Sequence, residues 1–148
     1  MKFEFSGAPT IPAPRQVVWS RLTDPDFVAG SAPGVESVQA LDSAHYTVVS
    51  GVGVGAMKIR FHVDVELFDI VEQQALSMRS RGNGAGSVVE VVSAVRLEDV
   101  AGGTRLDWRA VSEVSGAVAN FGGRMVEGVA RLLTEQFWTD FARRVSVG

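Results

Sequence analysis

Cysteine is absent from the chain, so disulfides, thiol nucleophiles and cysteine-ligated metals are excluded together, and the expected location is a reducing cytoplasm. Acid–base groups of intermediate pKa are almost as scarce. The two histidines, His45 and His62, map to a strand edge or an outward face, and they are not spaced four apart as helix-borne metal ligands would be. No carboxylate cluster falls on an inward face, so no metal and no cofactor is expected. Nothing arranges a serine, a histidine and an acid as a hydrolase needs. Long apolar runs are missing too. No window approaches the roughly 18 residues of a spanning helix, and the alternating N-terminus gives no reason to expect a signal peptide. The 14 basic residues are scattered over a chain of net charge −3, without the stripe that a phosphate backbone requires.

What the chain does have is strong periodicity. In the last thirty residues Val118, Phe121, Met125, Val129, Leu132, Leu133, Phe137, Phe141 and Val145 recur every three or four positions, the spacing of one helical stripe. This predicts a helix over Val118–Val147, about 45 Å long at about 1.5 Å per residue. Met1–Thr10 alternates as a strand. Gln16–Leu22 predicts a short helix, and Asp24-Pro25 caps a second one through Val28. From Val35 the period is two. Strands are expected at Val35–Leu41, His45–Val54, Met57–Ile70, Ala75–Gly82, Val88–Val100 and Thr104–Val114. The links between them are too short for parallel crossovers, so neighbours are antiparallel. The expected architecture is α+β in a single domain, 1–148: a curved seven-stranded antiparallel sheet around the long helix, with two short helices after the first strand. That first strand is expected to pair with the last, which otherwise leaves a bare edge.

The alternation also assigns faces. Met57, Ile59, Phe61, Val63, Val65 and Leu67 point inward, as do Val89, Val91, Ser93, Val95 and Leu97, and Leu106, Trp108, Ala110, Ser112 and Val114. Tyr46, Val48, Ser50 and Val52 join them from one strand, and Leu76, Met78, Ser80 and Gly82 from another. Tyr46 is the one ionisable member. The small inward residues have two readings that pattern alone leaves open. They let the helix lie close to the sheet, or they leave a hollow. Gly122, Gly123 and Gly128 likewise mark a close approach or a loose segment, since each costs roughly 1 kcal/mol in a helix. Gly51-Val52-Gly53-Val54-Gly55 resembles a phosphate loop, yet a strand follows it where a helix is required. A hairpin turn is the better account, there and at Arg81–Gly86. Trp138 sits off the main stripe, and packing onto the short helices is favoured over display to a partner.

With these residues in view, the chain resembles the START-like (SRPBCC) superfamily and its helix-grip (Bet v 1-like) fold. More specifically, it is similar to the carbon monoxide dehydrogenase G-subunit (CoxG) family. The resemblance spans nearly the whole chain. It rests on Ile11-Pro12-Ala13-Pro14 with Val18-Trp19, on Leu22-Thr23-Asp24-Pro25, and on Pro33-Gly34-Val35-Glu36-Ser37. It continues through Gly102-Gly103-Thr104-Arg105-Leu106, the run Phe121-Gly122-Gly123-Arg124-Met125-Val126-Glu127-Gly128, and Glu135-Gln136-Phe137-Trp138. The resemblance implies an accessory protein of a molybdenum-containing carbon monoxide dehydrogenase or a related hydroxylase. Such a protein would help attach that enzyme at the inner face of the membrane, or carry an apolar molecule such as a quinone. Many members end in a membrane-seeking helix. The sequence reaches Gly148 without one, so any membrane contact is expected to be peripheral.

The leading expectation is a non-enzymatic binder of a lipid- or quinone-like molecule between helix and sheet. Phe61, Val63, Val65, Met78, Val95, Trp108 and Ala110 would supply apolar wall, and Ser80, Ser93 and Ser112 would offer hydrogen bonds. Phe121, Met125 and Val129 would close the helix side. Access would fall between the Phe27–Gly34 segment and the glycine-containing helix start. Two alternatives stand beside it. One is a START-like enzyme of cyclase or dehydratase type, with Tyr46 as its acid or base. The other is a ligand-free adaptor that docks a dehydrogenase through its surface.

Overall fold

The structure is a computed structural model that describes residues 1–147. Strand β1 (Lys2–Gly7) is followed by a two-residue strand β2 (Thr10–Ile11) and two short helices, α1 (Arg15–Leu22) and α2 (Pro25–Gly30). Six strands follow: β3 (Val35–Ala40), β4 (His45–Val54), β5 (Met57–Val71), β6 (Ala75–Gly84), β7 (Ser87–Val100) and β8 (Gly103–Gly116). A 3-10 turn over Ala117–Phe121 leads into the long helix α3 (Gly123–Val147).

The sheet runs β1-β8-β7-β6-β5-β4-β3, antiparallel throughout, so the first strand does pair with the last. The expected seven strands form that path, and β2 is an eighth that pairs with β8 beside it. The first strand is shorter than the alternation predicts because Pro9, which has no N–H for a ladder, interrupts it at Ala8-Pro9. Hairpin turns fall where the chain tolerates positive φ: Gly55 at +60°, and Ala85 and Gly86 at +49° and +74°. Irregular register between Val35 and Ser37 and between Phe68 and Val71 marks bulges, the local device that bends a sheet.

The inward faces are nearly as the alternation predicts. Met57 is the exception. It lies at the hairpin tip, where the sheet extends past the helix, and is 51% exposed.

The helix departs from expectation at its start. Gly122, at φ +95°, separates the 3-10 turn from α3. Beyond that break the expected stripe holds at Val129, Leu133, Phe137, Phe141 and Val145. The buried or half-buried stripe also takes in Val126, Ala130, Thr134 and Trp138. Met125 and Leu132, expected to face inward, are 44% and 55% exposed.

The C-terminal half of α3 is fastened by aromatic packing. Trp138 is buried, and its ring stacks on Trp108 of β8 with centroids 5.6 Å apart. Phe137 and Phe141 meet Trp138 edge-on, and Phe141 also meets Phe27 of α2 edge-on. Arg144 completes this clamp. Its Nη1 donates to the Phe27 carbonyl at 2.6 Å and to Ser31 Oγ at 2.7 Å, and its guanidinium lies 4.2 Å from the centre of the Phe27 ring.

Truncation of Phe141 to alanine removes a fully buried ring and is expected to lower unfolding free energy by roughly 3–5 kcal/mol. Met125→Ala and Leu132→Ala on the exposed face are expected to stay within about 0.5 kcal/mol. Denaturant titration of the three variants checks which face of the helix is inside.

Candidate functional site

The buried core is in two parts. The larger surrounds the aromatic clamp, α1, α2 and the middle of the sheet. The smaller gathers Val54, Ile59, Phe61, Val114, Val118 and Val126 near the start of α3. Between α3 and the sheet, at the seam of these clusters, the structure leaves a hollow of two adjoining lobes. The first, about 210 Å³, is walled by much of the smaller cluster and by Val52, Gly82, Val89 and Val129. The second, about 250 Å³, lies toward α2 and is walled by Tyr46, Val48, Val65, Met78, Ser93 and Trp138 among others. Ser50, Val52, Val63, Ser80, Val91 and Leu133 line both, so the lobes lie side by side. Small residues facing each other across the curved sheet create this space. Gly82 on β6 adds no side chain at all, and a Cβ there would meet Val63 and Phe61 at ordinary contact distance.

No acidic, basic or histidine side chain among the described residues lines either lobe. The polar groups are Tyr46, Ser50, Ser80, Ser93 and Thr134. Two of these are committed to backbone, Ser50 donating to the Pro33 carbonyl at 3.2 Å and Thr134 to the Ala130 carbonyl at 2.7 Å. The hydroxyls of Tyr46, Ser80 and Ser93 have no hydrogen-bond partner among the described residues. They are not sealed in solid protein, because no fully enclosed side-chain nitrogen or oxygen among those residues lacks a partner. The three hydroxyls therefore open onto the hollow. Burial raises the Tyr46 pKa well above the ordinary phenol range, because removing a phenolate from water disfavours the charged form.

Eight of the thirteen residues named from sequence line the hollow: Phe61, Val63, Val65, Met78, Ser80, Ser93, Ala110 and Val129. Five do not. Val95 and Trp108 are packed into the larger core, and the Trp138 ring covers Trp108. Ser112 is buried between its strand neighbours Phe3 and Val91, one strand behind the Val91 wall. Phe121, half-buried against the smaller core cluster, and Met125, largely exposed, sit beside the β4–β5 hairpin, next to Gly55.

The helix residues of the lining that periodicity did not name are Val126, Ala130 and Thr134, each one position after a residue that it did name, Met125, Val129 and Leu133. Val28, Ala29, Ala32 and Pro33 roof the second lobe from α2 and its following turn, a placement that no local pattern encodes. The reading of Gly122, Gly123 and Gly128 as a close approach is corrected, since a Cβ at any of them would meet open space.

His45 lies outside, against Asp42 at 2.9 Å and Glu66 at 3.4 Å. The hydrogen bond to Asp42 raises its pKa, and His62 is also exposed on the outer face.

The family model that describes the G-subunit of carbon monoxide dehydrogenase (CoxG) matches residues 7–146. Among solved structures, a conserved protein from Geobacillus kaustophilus superposes with a TM-score of 0.84 at 23% identity, covering 99% of this chain and 95% of its own. The Zhui aromatase/cyclase from a Streptomyces species gives 0.69 at 14% identity, covering 98% and 94%. Ara h 8.0201 gives 0.68 at 15% identity, with 100% of both chains covered. At these identities the structures show the shared helix-grip fold. No protein with a curated description matches the chain.

Tyr46 is the single tyrosine, so ultraviolet titration reads it alone. The folded protein is expected to keep this phenol protonated past pH of about 10, where a free tyrosine ionises. Because the unfolded chain then loses a proton that the folded chain keeps, Tyr46's contribution to stability is complete below about pH 10 and falls as pH rises further. A normal tyrosinate titration in the folded state would show the ring to be in water.

Proposed function

This chain belongs to the carbon monoxide dehydrogenase G-subunit (CoxG) family, and we propose that it holds an apolar, lipid- or quinone-like molecule between α3 and the sheet. It does so as an accessory protein of a molybdenum-type carbon monoxide dehydrogenase or a related hydroxylase. Family and fold neighbours support a ligand-binding accessory protein. The observation that carries the finer reading is the uncharged hollow itself: apolar walls, a few neutral hydroxyls and two adjoining lobes. Such walls favour an apolar guest by the area removed from water and disfavour an unpaired charge.

A catalytic role has less support. Tyr46 is the one titratable side chain in the lining, and its raised pKa makes it a poor proton donor or acceptor near neutrality. No second titratable group among the described lining residues stands beside it to complete an acid–base pair. The partner dehydrogenase is inferred from the family alone. No described helix is long and apolar enough to cross a membrane, and we place the protein on the cytoplasmic side, in peripheral contact with the membrane's inner face at most.

Organic extraction and native mass spectrometry of the purified protein are expected to find a neutral apolar molecule bound at one per chain. Ala110→Phe projects a ring into the second lobe and is expected to abolish that uptake. The fold should survive, because the ring enters empty space. A wild-type protein recovered empty and refusing lipid-like ligands, yet still binding a dehydrogenase, would favour a ligand-free adaptor. Turnover of a small substrate that Tyr46→Phe abolishes would favour an enzyme.

A further inference from the structure

We propose that the hollow binds its ligand in one direction, with an uncharged, hydrogen-bond-accepting head against the Tyr46 hydroxyl under α2 and a hydrocarbon tail in the valine-walled lobe toward the start of α3. This deepens the carrier reading and rests on it.

The two lobes differ in chemistry. Tyr46 pairs with Val65 across β4 and β5, and Val65 pairs with Ser80 across β5 and β6. Tyr46 and Ser80 are thus in one cross-strand row, two strand spacings apart, about 10 Å. Ser93 is in the adjacent inward row, opposite Met78 and Ala110. All three hydroxyls border the lobe under α2, and none has a partner among the described residues. Tyr46 is 3% exposed. Each of these hydroxyls reaches the open space of the hollow and is not enclosed in packed protein, so its donor stays available to a guest. A ligand oxygen that enters the lobe under α2 can accept from it.

Of the three hydroxyls only Ser80, on the shared wall, borders the other lobe. Beyond the shared Ser50 and Ser80, its wall is valine, alanine, leucine, phenylalanine and glycine, and Ser50 already donates to Pro33. A tail is well served there and a polar head is not.

The head's charge follows from the same inventory. A carboxylate, phosphate or ammonium would enter a space with no counter-ion in its described lining, at a cost of several kcal/mol. The Tyr46 phenol is protonated at neutral pH, as any tyrosine is, and can donate. A carbonyl or ether oxygen meets that donor, and the serine hydroxyls can donate alongside it. Fatty acids and phospholipid headgroups are thereby disfavoured, whereas long-chain ketones, quinone-type carbonyls and esters are accepted.

Trp138 lines the head lobe, so intrinsic fluorescence reports occupancy. Three probes of matched length separate the outcomes: methyl undecyl ketone, tridecane and tridecanoate at neutral pH. The ketone is expected to bind at least about tenfold more tightly than the carboxylate, which loses its solvation unpaired. Tyr46→Phe is expected to weaken the ketone roughly three- to tenfold, the range of one net hydrogen bond, and to leave tridecane unchanged or tighter. A short probe, methyl butyl ketone, tests direction. Its binding should survive Val129→Phe, which fills the tail lobe, and fail in Thr134→Met, which fills the head lobe.

Tridecanoate bound as tightly as the ketone would overturn the uncharged head. Indifference of the ketone to Tyr46→Phe would overturn the donor, and the reverse pattern with the short ketone would overturn the direction. Failure of the wild-type protein to bind any of the probes would instead remove the carrier reading on which all three rest.

Discussion

The stack of Trp138 on Trp108 is the constraint from which the rest of the interior follows. It fixes the C-terminal half of α3 against β8, and the edge-on contacts of Phe137 and Phe141 fill the surrounding space. Aromatic pairs in these geometries are worth about 0.5–1.5 kcal/mol each beyond the area they bury. Arg144 then ties α2 to the same end of the helix through the Phe27 carbonyl and Ser31. With one end of the helix pinned, its middle turns pass over sheet positions occupied by serine, valine, alanine and glycine. Bulky anchors at one end and small residues in the middle produce a hollow rather than a uniformly filled core.

The placement of charge sharpens the contrast between this interior and the outer face. The outward rows of the sheet carry ion pairs such as Arg60–Glu36, Arg81–Glu90 and Arg109–Glu4, all solvent-exposed and each worth at most about 1 kcal/mol. Their role is to keep one face of each strand wet, and thereby to fix which face turns inward. On the inner side the unpaired hydroxyls are few and neutral. A slip of one residue in β5 would bring Arg60, His62 and Asp64 into the hollow, so the alternation that sets the register also keeps the cavity uncharged.

The architecture was legible in the sequence because it is written in periods. Strands β3 to β8 and both short helices lie within a few residues of their expected bounds, and Asp24 caps α2 as its position implies, accepting from the Asp26 N–H at 3.1 Å. The cavity wall was legible where it belongs to the sheet, since a period of two leaves no choice of face: Phe61, Val63, Ser80, Ser93 and Ala110 follow directly. It was not legible on the helix. There an inward stripe about 100° wide admits neighbouring residues, so Val126 faces in where Met125 was expected, and of the expected neighbours Leu132 and Leu133 only Leu133 does. Nor could periodicity separate Val95 and Trp108, which are buried in packed core, from Val65 and Met78, which are buried against empty space. Inward direction is a local property, whereas facing a void depends on what the opposite element brings. The contribution of α2, through Val28, Ala29 and Pro33, is tertiary in the same sense.

The hollow also bears on stability. A side chain that borders open space lacks dispersion partners on that side, so the wall of the hollow represents packing not made. Larger side chains at Ala110, Gly82 or Ser93 would recover part of it, and such substitutions are among the easiest stabilising changes for a protein to acquire. A chain that keeps small residues at all three positions has instead left that packing to be made by something else. On the carrier reading the guest makes it. The dispersion contacts missing from the empty fold then appear as binding energy, and ligand occupancy stabilises the folded state by mass action. Stability and affinity become one quantity measured in two ways: a mutation that fills the hollow raises the stability of the empty protein by lowering what the ligand can add.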